Sequence, residues 1–280
     1  MRLVVTGAGG DLGRAFVARV PGHHDVIAFD HDGLDVGDHA AVRQVVEPLR
    51  ADAILNFAAF TRVDDNELDQ ARAFRDNALG PQHLALAARA SGAMLVQVST
   101  DYVFDGRKRA PYDETDEPAP LSVYGRAKLA GEKFAREIAP ESYVVRVGHV
   151  YGGGNDYLSR TVAKLAAGEA VAGLADRWGS PTFVGHLADR ILPLVLSGRY
   201  GLYHLGGPEP ASWFEVLTRV QELAGSVGSV QPQHAADLGL SAPRPVFSAL
   251  TSVFTPHVGI EPMPSLEEGL KDFLAGSDPR

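Results

Sequence analysis

"VVTGAGGDLG", Val4 to Gly13, is the stretch on which the reading of the whole chain turns. β-Branched residues run directly into Gly7, Gly10 and Gly13, and a helical pattern, "DLGRAFVARV", opens at Asp11. A strand, a tight turn and a helix in that order use three glycines for three purposes: the turn itself, room for a pyrophosphate against the backbone, and close packing of helix on strand. Glycines gather in many loops, so the triplet alone is a weak signal. Its position at the start of a unit of about 30 residues gives it weight.

Outward from this loop, short β-branched runs alternate with longer helical patterns: "DVIAFD", "DHAAVRQVVEPLR", "AILNFAAF", "GPQHLALAARASG", "AMLVQVST". Such alternation predicts parallel strands joined by helical crossovers, with both faces of the sheet covered. A further strand is predicted over "SYVVRVGHVYG". The fold class is α/β, a doubly wound parallel sheet. Beyond Tyr151 the texture shifts to shorter pieces rich in Gly and Pro, "GGGN", "GSPTF", "GGPEPASW" and "SAPRPVFS". Residues 1–150 are therefore expected to form a nucleotide-binding domain, with some later segments returning to it, and 151–280 mainly a smaller lobe. "SLEEGLKDFLAG" predicts a helix capped by Ser265, with Leu266, Leu270 and Phe273 on one face.

The second strand ends at Asp30, near the offset from the glycine loop at which a carboxylate meets the adenine ribose. That reading favours NADH over NADPH. A solvated turn aspartate is the competing one, because Asp32, Asp35 and Asp38 crowd the same loop. Asp35 is an alternative partner for the adenine amino group, and Asp38 reads as a helix cap. "NFAAF", Asn56 to Phe60, ends the third strand with alanines that would let a cofactor lie against the backbone; a plain buried strand explains them equally well.

Composition narrows the function. Apolar residues make up 45% and charged residues 22%, an ordinary globular balance, and the net charge of −9 argues against a nucleic-acid partner. The absence of cysteine excludes disulfides, thiolate nucleophiles and cysteine-based metal sites. No signal-peptide pattern opens the chain and no apolar run approaches the ~18 residues of a membrane span. A soluble cytoplasmic protein, with neither membrane nor nucleic acid as partner, is expected. His23, His24, His83 and His204 lack ligand spacing, so no metal site is expected.

The chemistry concentrates in "VYGRAK", Val123 to Lys128. Tyr124 and Lys128 stand four apart, on one helix face, where an ammonium would lower the phenol's pKa from about 10 toward working pH. Chance pairs with this spacing are common on solvated helices. Just upstream, however, "VSTDYVFDG" ends a strand in Ser99, Thr100 and Asp101, at the same sheet edge as the glycine loop.

In "TGAGGDLG", "NFAAFTRVD", "STDYVFDG", "PLSVYGRAKLAGE", "GSPT", "GLYHL" and "SW", in that order, the chain resembles the dTDP-4-dehydrorhamnose reductase family of the extended short-chain dehydrogenases/reductases. The resemblance covers nearly the whole chain. It implies a Rossmann-type nucleotide domain, a C-terminal substrate-binding lobe, and NADH- or NADPH-dependent reduction of a nucleotide-linked 4-keto-6-deoxy sugar; a homodimer is compatible with it. Tyr124 would be the general acid, Lys128 its electrostatic partner and Thr100 the hydroxyl that orients the carbonyl. The cofactor set it implies is Gly7, Gly10, Asp11, Leu12, Gly13, Asp30, Asp35, Val36, Phe57, Ala58, Ala59 and Thr61, with Tyr124 and Lys128. Thr100, Asp101, Phe104, Tyr124, His149 and Arg177 would face the sugar nucleotide.

Two departures bear on substrate identity. Where the family usually reads "RTSWVYG" this chain has "RVGHVYG", which exchanges the indole that faces the sugar for the imidazole of His149. Arg177 stands where glutamine is usual, and an arginine there either binds phosphate or lies in solvent. Arg244 matches a feature of the family's second lobe, with a structural loop arginine as the alternative. Two other functions share the same parts: an epimerase or reductase of a different keto sugar, and a binding subunit like that which regulates methionine adenosyltransferase.

Overall fold

The computed structural model describes residues 1–276; the last four residues of the expected second lobe lie outside them. The first half runs β1 (Arg2–Thr6), α1 (Asp11–Val17), β2 (Asp25–Phe29), α2 (His39–Val46), β3 (Ala53–Asn56), α3 (Val63–Leu68), α4 (Gln70–Phe74), α5 (Gly80–Ser91), β4 (Met94–Thr100), α6 (Val123–Ile138) and β5 (Ser142–Val147). The second half runs β6 (Val150–Tyr151), α7 (Tyr157–Ala166), β7 (Ala170–Leu174), β8 (Trp178–Gly179), β9 (Thr182–Phe183), α8 (Val184–Leu196), β10 (Gly201–His204), β11 (Ala211–Ser212), α9 (Trp213–Ala224), β12 (Ser229–Gln233) and α10 (Leu266–Gly276). Helices α3 and α4 occupy a stretch to which the sequence pattern assigned no element.

Six strands form one parallel sheet in the order β2-β1-β3-β4-β5-β10. Successive residues of a strand point to opposite faces, and both faces here are apolar. Leu3, Val5, Leu55 and Val145 pack with Phe16 of α1 and Leu187 and Ile191 of α8. Val4, Ile54, Leu95 and Val144 pack on the other side with Val42 of α2, Leu84 of α5 and Ala135 of α6. The chain leaves β1 toward β2 on one side and comes back to β3 on the other. That reversal opens a crevice at the carboxyl ends of β1 and β3, where open α/β sheets bind ligands.

The segment "SYVVRVGHVYG" is not one strand. β5 ends at Val147, Gly148 backs onto the Asp101 carboxylate, and His149 takes a left-handed φ of 44°. The chain turns there because a pleated strand accommodates neither feature, and it resumes as β6, paired with β9 instead of the main sheet. Beyond residue 150, α8 covers the large sheet and β10 extends it. The remaining lobe has its own core, in which Leu158 and Leu165 of α7 meet Val216 and Leu217 of α9 and Leu270 and Phe273 of α10. Ser265 caps α10 as its sequence suggests, accepting from the Glu268 N–H while the Glu268 carboxylate accepts from Ser265. Arg244 is a structural residue: it forms a two-pronged ion pair with Asp64 of α3 and so ties the late loop to the first lobe. No helix among the described residues is long and apolar enough to cross a membrane.

Candidate active site

The glycine loop is built as its spacing suggests. Gly7 has φ 69°, and a Cβ on it would collide with the backbone nitrogen of Ala58; a Cβ on Gly13 would strike the Gly7 carbonyl. Gly10 N–H closes the turn on Gly7 O at 3.0 Å and stands at the N-cap of α1. Underneath, the buried Asn56 side chain accepts from Thr6 Oγ1 at 2.7 Å and Ala58 N–H at 3.1 Å, and donates to Gln97. This row across β1, β3 and β4 fixes the alanine turn against the glycines.

Two cavities meet at Gly9, Gly10, Phe57 and Ala59. The first, about 410 Å³, is lined by Gly7, Asp30, Asp35, Val36, Ala58 and Phe60 among others. Asp30 accepts from Gly33 N–H at its Oδ1, 2.9 Å, in a turn, and it also lines the cavity beside Gly9. Asp35 accepts from Gly37 N–H and is held by Arg75. Asp38 caps α2 through Ala40 and Ala41.

The second cavity, about 910 Å³, holds Asp11, Leu12, Gly13 and Thr61 on one side and Thr100, Asp101, Tyr124, Lys128 and His149 on the other. Thr100, at the end of β4, accepts from Tyr102 N–H at 3.2 Å and donates to Asp101 Oδ1 at 3.0 Å. Its hydroxyl is also within reach of the Tyr124 phenol. The α6 helix starts at Ser122, whose hydroxyl accepts from Gly125 N–H, so Tyr124 falls in the first turn and Lys128 one turn further on. Lys128, 4% exposed, donates from Nζ to the Val98 carbonyl at 2.6 Å.

The electrostatics correct one expectation. The Tyr124 phenol is not depressed by Lys128 but pushed well above its ordinary range, first by burial and then by the nearby Asp101 carboxylate, with the Thr100 hydrogen bond opposing. The ammonium is turned toward Val98 O, and burial draws its own pKa down to about 8 while Glu132 resists. Burial also raises the Asp101 carboxyl, against the pull of His149 and of hydrogen bonds from Ser248 and Thr100.

Two expected substrate residues lie elsewhere. Phe104 is fully buried: its ring stacks on Tyr112 at 4.1 Å and carries the Arg146 guanidinium, so it backs the cavity wall without lining it. Arg177 folds back on Asp176 at 3.2 Å and lines neither cavity. His149 does line the larger cavity. Its ring stacks on Trp213 with centroids 5.2 Å apart and covers Gly179, and its Nδ1 is buried with no hydrogen-bond partner among the described residues. Arg14, Tyr157 and Arg160 line this cavity too and escaped the sequence reading. Arg14, next to Gly13 in a pyrophosphate loop, was a readable signal; the α7 residues come from a distant segment and gave none.

Residues 1–278 match the family model described as RmlD substrate binding domain, and 284 residues align at 39% identity with the dTDP-4-dehydrorhamnose reductase of Mycobacterium tuberculosis, covering 98% of this chain and 92% of that protein. The chain belongs to the dTDP-4-dehydrorhamnose reductase family. Within reach of the same family is a Streptomyces antibioticus protein named "Probable dTDP-4,6-dihydroxy-2-methyloxan-3-one 4-ketoreductase", 37% identical over 288 residues, with 100% of this chain and 98% of that one covered. The crystal structure of the Bacillus anthracis dTDP-4-dehydrorhamnose reductase in complex with NADP superposes with a TM-score of 0.95 at 35% identity, covering 98% of this chain and 99% of that one. The glycine cradle closed to any Cβ, the helix N-cap beneath it and the carboxylate at the far end fit a dinucleotide, and family membership gives that fit its chemical meaning.

Proposed function

We propose that the protein is an NAD(P)H-dependent oxidoreductase that reduces the keto group of a dTDP-linked 4-keto-6-deoxy sugar. The observation that carries this reading is the convergence of Thr100, Tyr124 and Lys128 in one cavity continuous with the glycine-loop cavity. When bound, the dihydronicotinamide supplies the hydride. As negative charge builds on the keto oxygen, Tyr124, the phenol nearest Thr100 in this cavity, gives up its proton to it. Thr100 Oγ1, beside the phenol, holds the same oxygen in line. Lys128 would hold the ribose hydroxyls, and Asp30 those of the adenine-side ribose. Asn155, Asp156, Tyr157 and Arg160 supply the sugar side of the cavity, with His149 as its wall in place of the indole usual in the family. The acidic chain is read as a cytoplasmic protein with no nucleic-acid partner; a homodimer is compatible with the family resemblance, and sedimentation of the purified protein checks it.

The test is a substrate screen. Purified protein is mixed with dTDP-, UDP- and GDP-linked keto sugars, and NADH and NADPH absorbance is followed alongside product analysis. One cofactor oxidised per sugar reduced is the expected outcome with a dTDP-linked sugar. A product epimerised without net cofactor consumption, or no turnover of any keto sugar, would discard the reductase reading in favour of the epimerase or the binding subunit.

A further inference from the structure

One turn beyond Lys128, on the same face of α6, stands Glu132. Its carboxylate is buried and filled: Oε1 accepts from the Ser99 hydroxyl at 2.5 Å and from Arg146 Nε at 2.9 Å, and Oε2 accepts from Arg146 Nη2 at 2.7 Å. The Glu132 and Arg146 side chains are 4% and 3% exposed. Ser99 and Arg146 are register partners on β4 and β5, and Arg146 is in turn the register partner of His204 on β10. His204 Nδ1 lies 3.0 Å from both the Tyr112 and Thr251 carbonyls, so that nitrogen carries the hydrogen. Nε2 is then free to accept from Arg146 Nη1, at 3.4 Å. Three neighbouring strands thus present a row of side chains that ends on the helix carrying Tyr124 and Lys128.

A buried ion pair is a poor source of net stability, because desolvation offsets most of the attraction; its better-attested effect is on position. Here the position at stake is that of the active helix against β4, whose residues Val98, Ser99 and Thr100 respectively bind Lys128, bind Glu132 and stand beside Tyr124. We propose that Glu132 and Arg146 are a positioning pair for the reaction: with Ser99 they seat the active face of α6 on β4 and hold Lys128 in its charged form. The proposal rests on the reading of Lys128 as a cofactor-binding group. Without Glu132, Arg146 and Lys128 would be like charges in a dry interior; without Arg146, the carboxylate would have Lys128 as its nearest cation. The other titratable and charged groups lining the cavity with Lys128 are Tyr124 on α6, Asp101 after β4, Asp11 and Arg14 of α1, Arg62, His149, Asp156, and Tyr157 and Arg160 of α7, with Tyr102 packed on Tyr124. The Glu132 carboxylate is the charge that opposes burial at Lys128.

The test measures NADH affinity against pH by quenching of protein fluorescence, without sugar, in the wild type, Glu132→Gln, Arg146→Met and the double variant Glu132→Gln/Arg146→Gln. Thermal melts run beside it. In Glu132→Gln the pH at which affinity begins to fall should drop by about one unit, a tenfold change in proton affinity. Arg146→Met should move it upward, and the double variant, which loses the repulsion of Arg146 as well as the attraction of Glu132, should shift downward by less than Glu132→Gln. Lower melting temperatures with all pH limbs at the wild-type position would reduce the pair to a structural brace. Should a single variant fail to fold, the double variant decides alone, since it removes the carboxylate and its guanidinium partner together. If Lys128→Met binds NADH as tightly as the wild type, the assignment of Lys128 itself is wrong and the proposal goes with it, a result distinct from unmoved limbs.

Discussion

The ammonium of Lys128 donates to the main-chain carbonyl of Val98 at 2.6 Å, so the side chain that should meet the cofactor is already anchored to the strand that ends in Thr100. The same burial that shelters this bond lowers the lysine's pKa to about 8. The sign follows directly. Below pH 8 the group is charged and donates; as pH rises through 8 it loses the proton and the charge that attracts the cofactor. NAD(P)H affinity should therefore be flat in mildly acidic buffer and decline above pH 8. Lys128→Met should weaken binding by tenfold or more, in line with roughly 1.5–3 kcal/mol for a hydrogen bond to a charged group, and should abolish the decline. Titrations at several pH values check both, and an undiminished slope in the variant would rule Lys128 out as its source.

Tyr124→Phe isolates the proton. The ring keeps its place against Tyr102, 6.0 Å between centroids, while the phenolic hydroxyl disappears. General acid catalysis contributes typically ~10²–10⁴-fold, so kcat should fall by that much with NAD(P)H binding close to wild type. A loss under tenfold would mean that another group supplies the proton.

Features set by local spacing were legible in the sequence. Gly7, Gly10 and Gly13 announced their turn and Asp38 and Ser265 their caps, because each depends on residues a few positions away; Thr100, Tyr124 and Lys128 announced a common edge through the topology of a parallel sheet. Where long-range packing decides, the reading failed. Phe104 looked like a pocket residue, yet the short 3-10 turn Asp101–Val103 carries it under the sheet onto Tyr112 and Arg146. Arg177 has its own neighbour, Asp176, as a partner. The spacing of Tyr124 and Lys128 gives a shared helix face but not the direction of a flexible ammonium, which a carbonyl of another strand captured.

Asp30 offers a test of cofactor choice. One carboxylate oxygen is engaged by Gly33 N–H, and the side chain faces a cavity that also exposes Asp32, Asp35 and Asp76. His31 and Arg72 line it too, Arg72 paired with Asp76, so the carboxylates outnumber the cations, and such a lining accepts a ribose 2′-hydroxyl and disfavours a 2′-phosphate. NADH should be used at least as well as NADPH, and Asp30→Ala should shift the ratio of catalytic efficiencies toward NADPH. An unmoved ratio would leave Asp30 as a turn residue only.

The second lobe carries a capping box whose loss should be purely structural. Ser212 Oγ accepts from Glu215 N–H at 3.2 Å, and the Glu215 carboxylate accepts from Ser212 N–H at 2.7 Å, at the start of α9. Ser212→Ala should remove about 1 kcal/mol. Calorimetry should show a melting temperature lower by roughly 2–4 °C, with the cofactor affinity unchanged. A change in cofactor affinity would show that the lobe's stability reaches into the nucleotide site.

His149 lines the larger cavity, and we propose that it bears on which sugar the cavity takes. Its backbone sits at φ 44°, its ring lies flat on Trp213, and no protein atom among the described residues satisfies Nδ1. An imidazole is smaller than the indole usual at this place in the family, and it carries polar atoms that a 6-deoxy methyl group would leave unpaired. We infer that the wall is roomier and more polar than a 6-deoxy sugar requires. Wild-type turnover of dTDP-4-keto-6-deoxyglucose should be poor relative to an analogue with an added polar group, and His149→Trp should improve the 6-deoxy reaction. Gly179 supplies an independent handle, since a Cβ there would lie 2.5 Å from the imidazole. Gly179→Ala should displace the ring and raise KM for the sugar while leaving the cofactor's affinity alone. The contrary result is concrete: a wild-type kcat/KM of ~10⁴–10⁸ M⁻¹s⁻¹ on the 6-deoxy substrate, with no gain from His149→Trp, would make His149 a structural histidine of the wall and leave an unaltered sugar site.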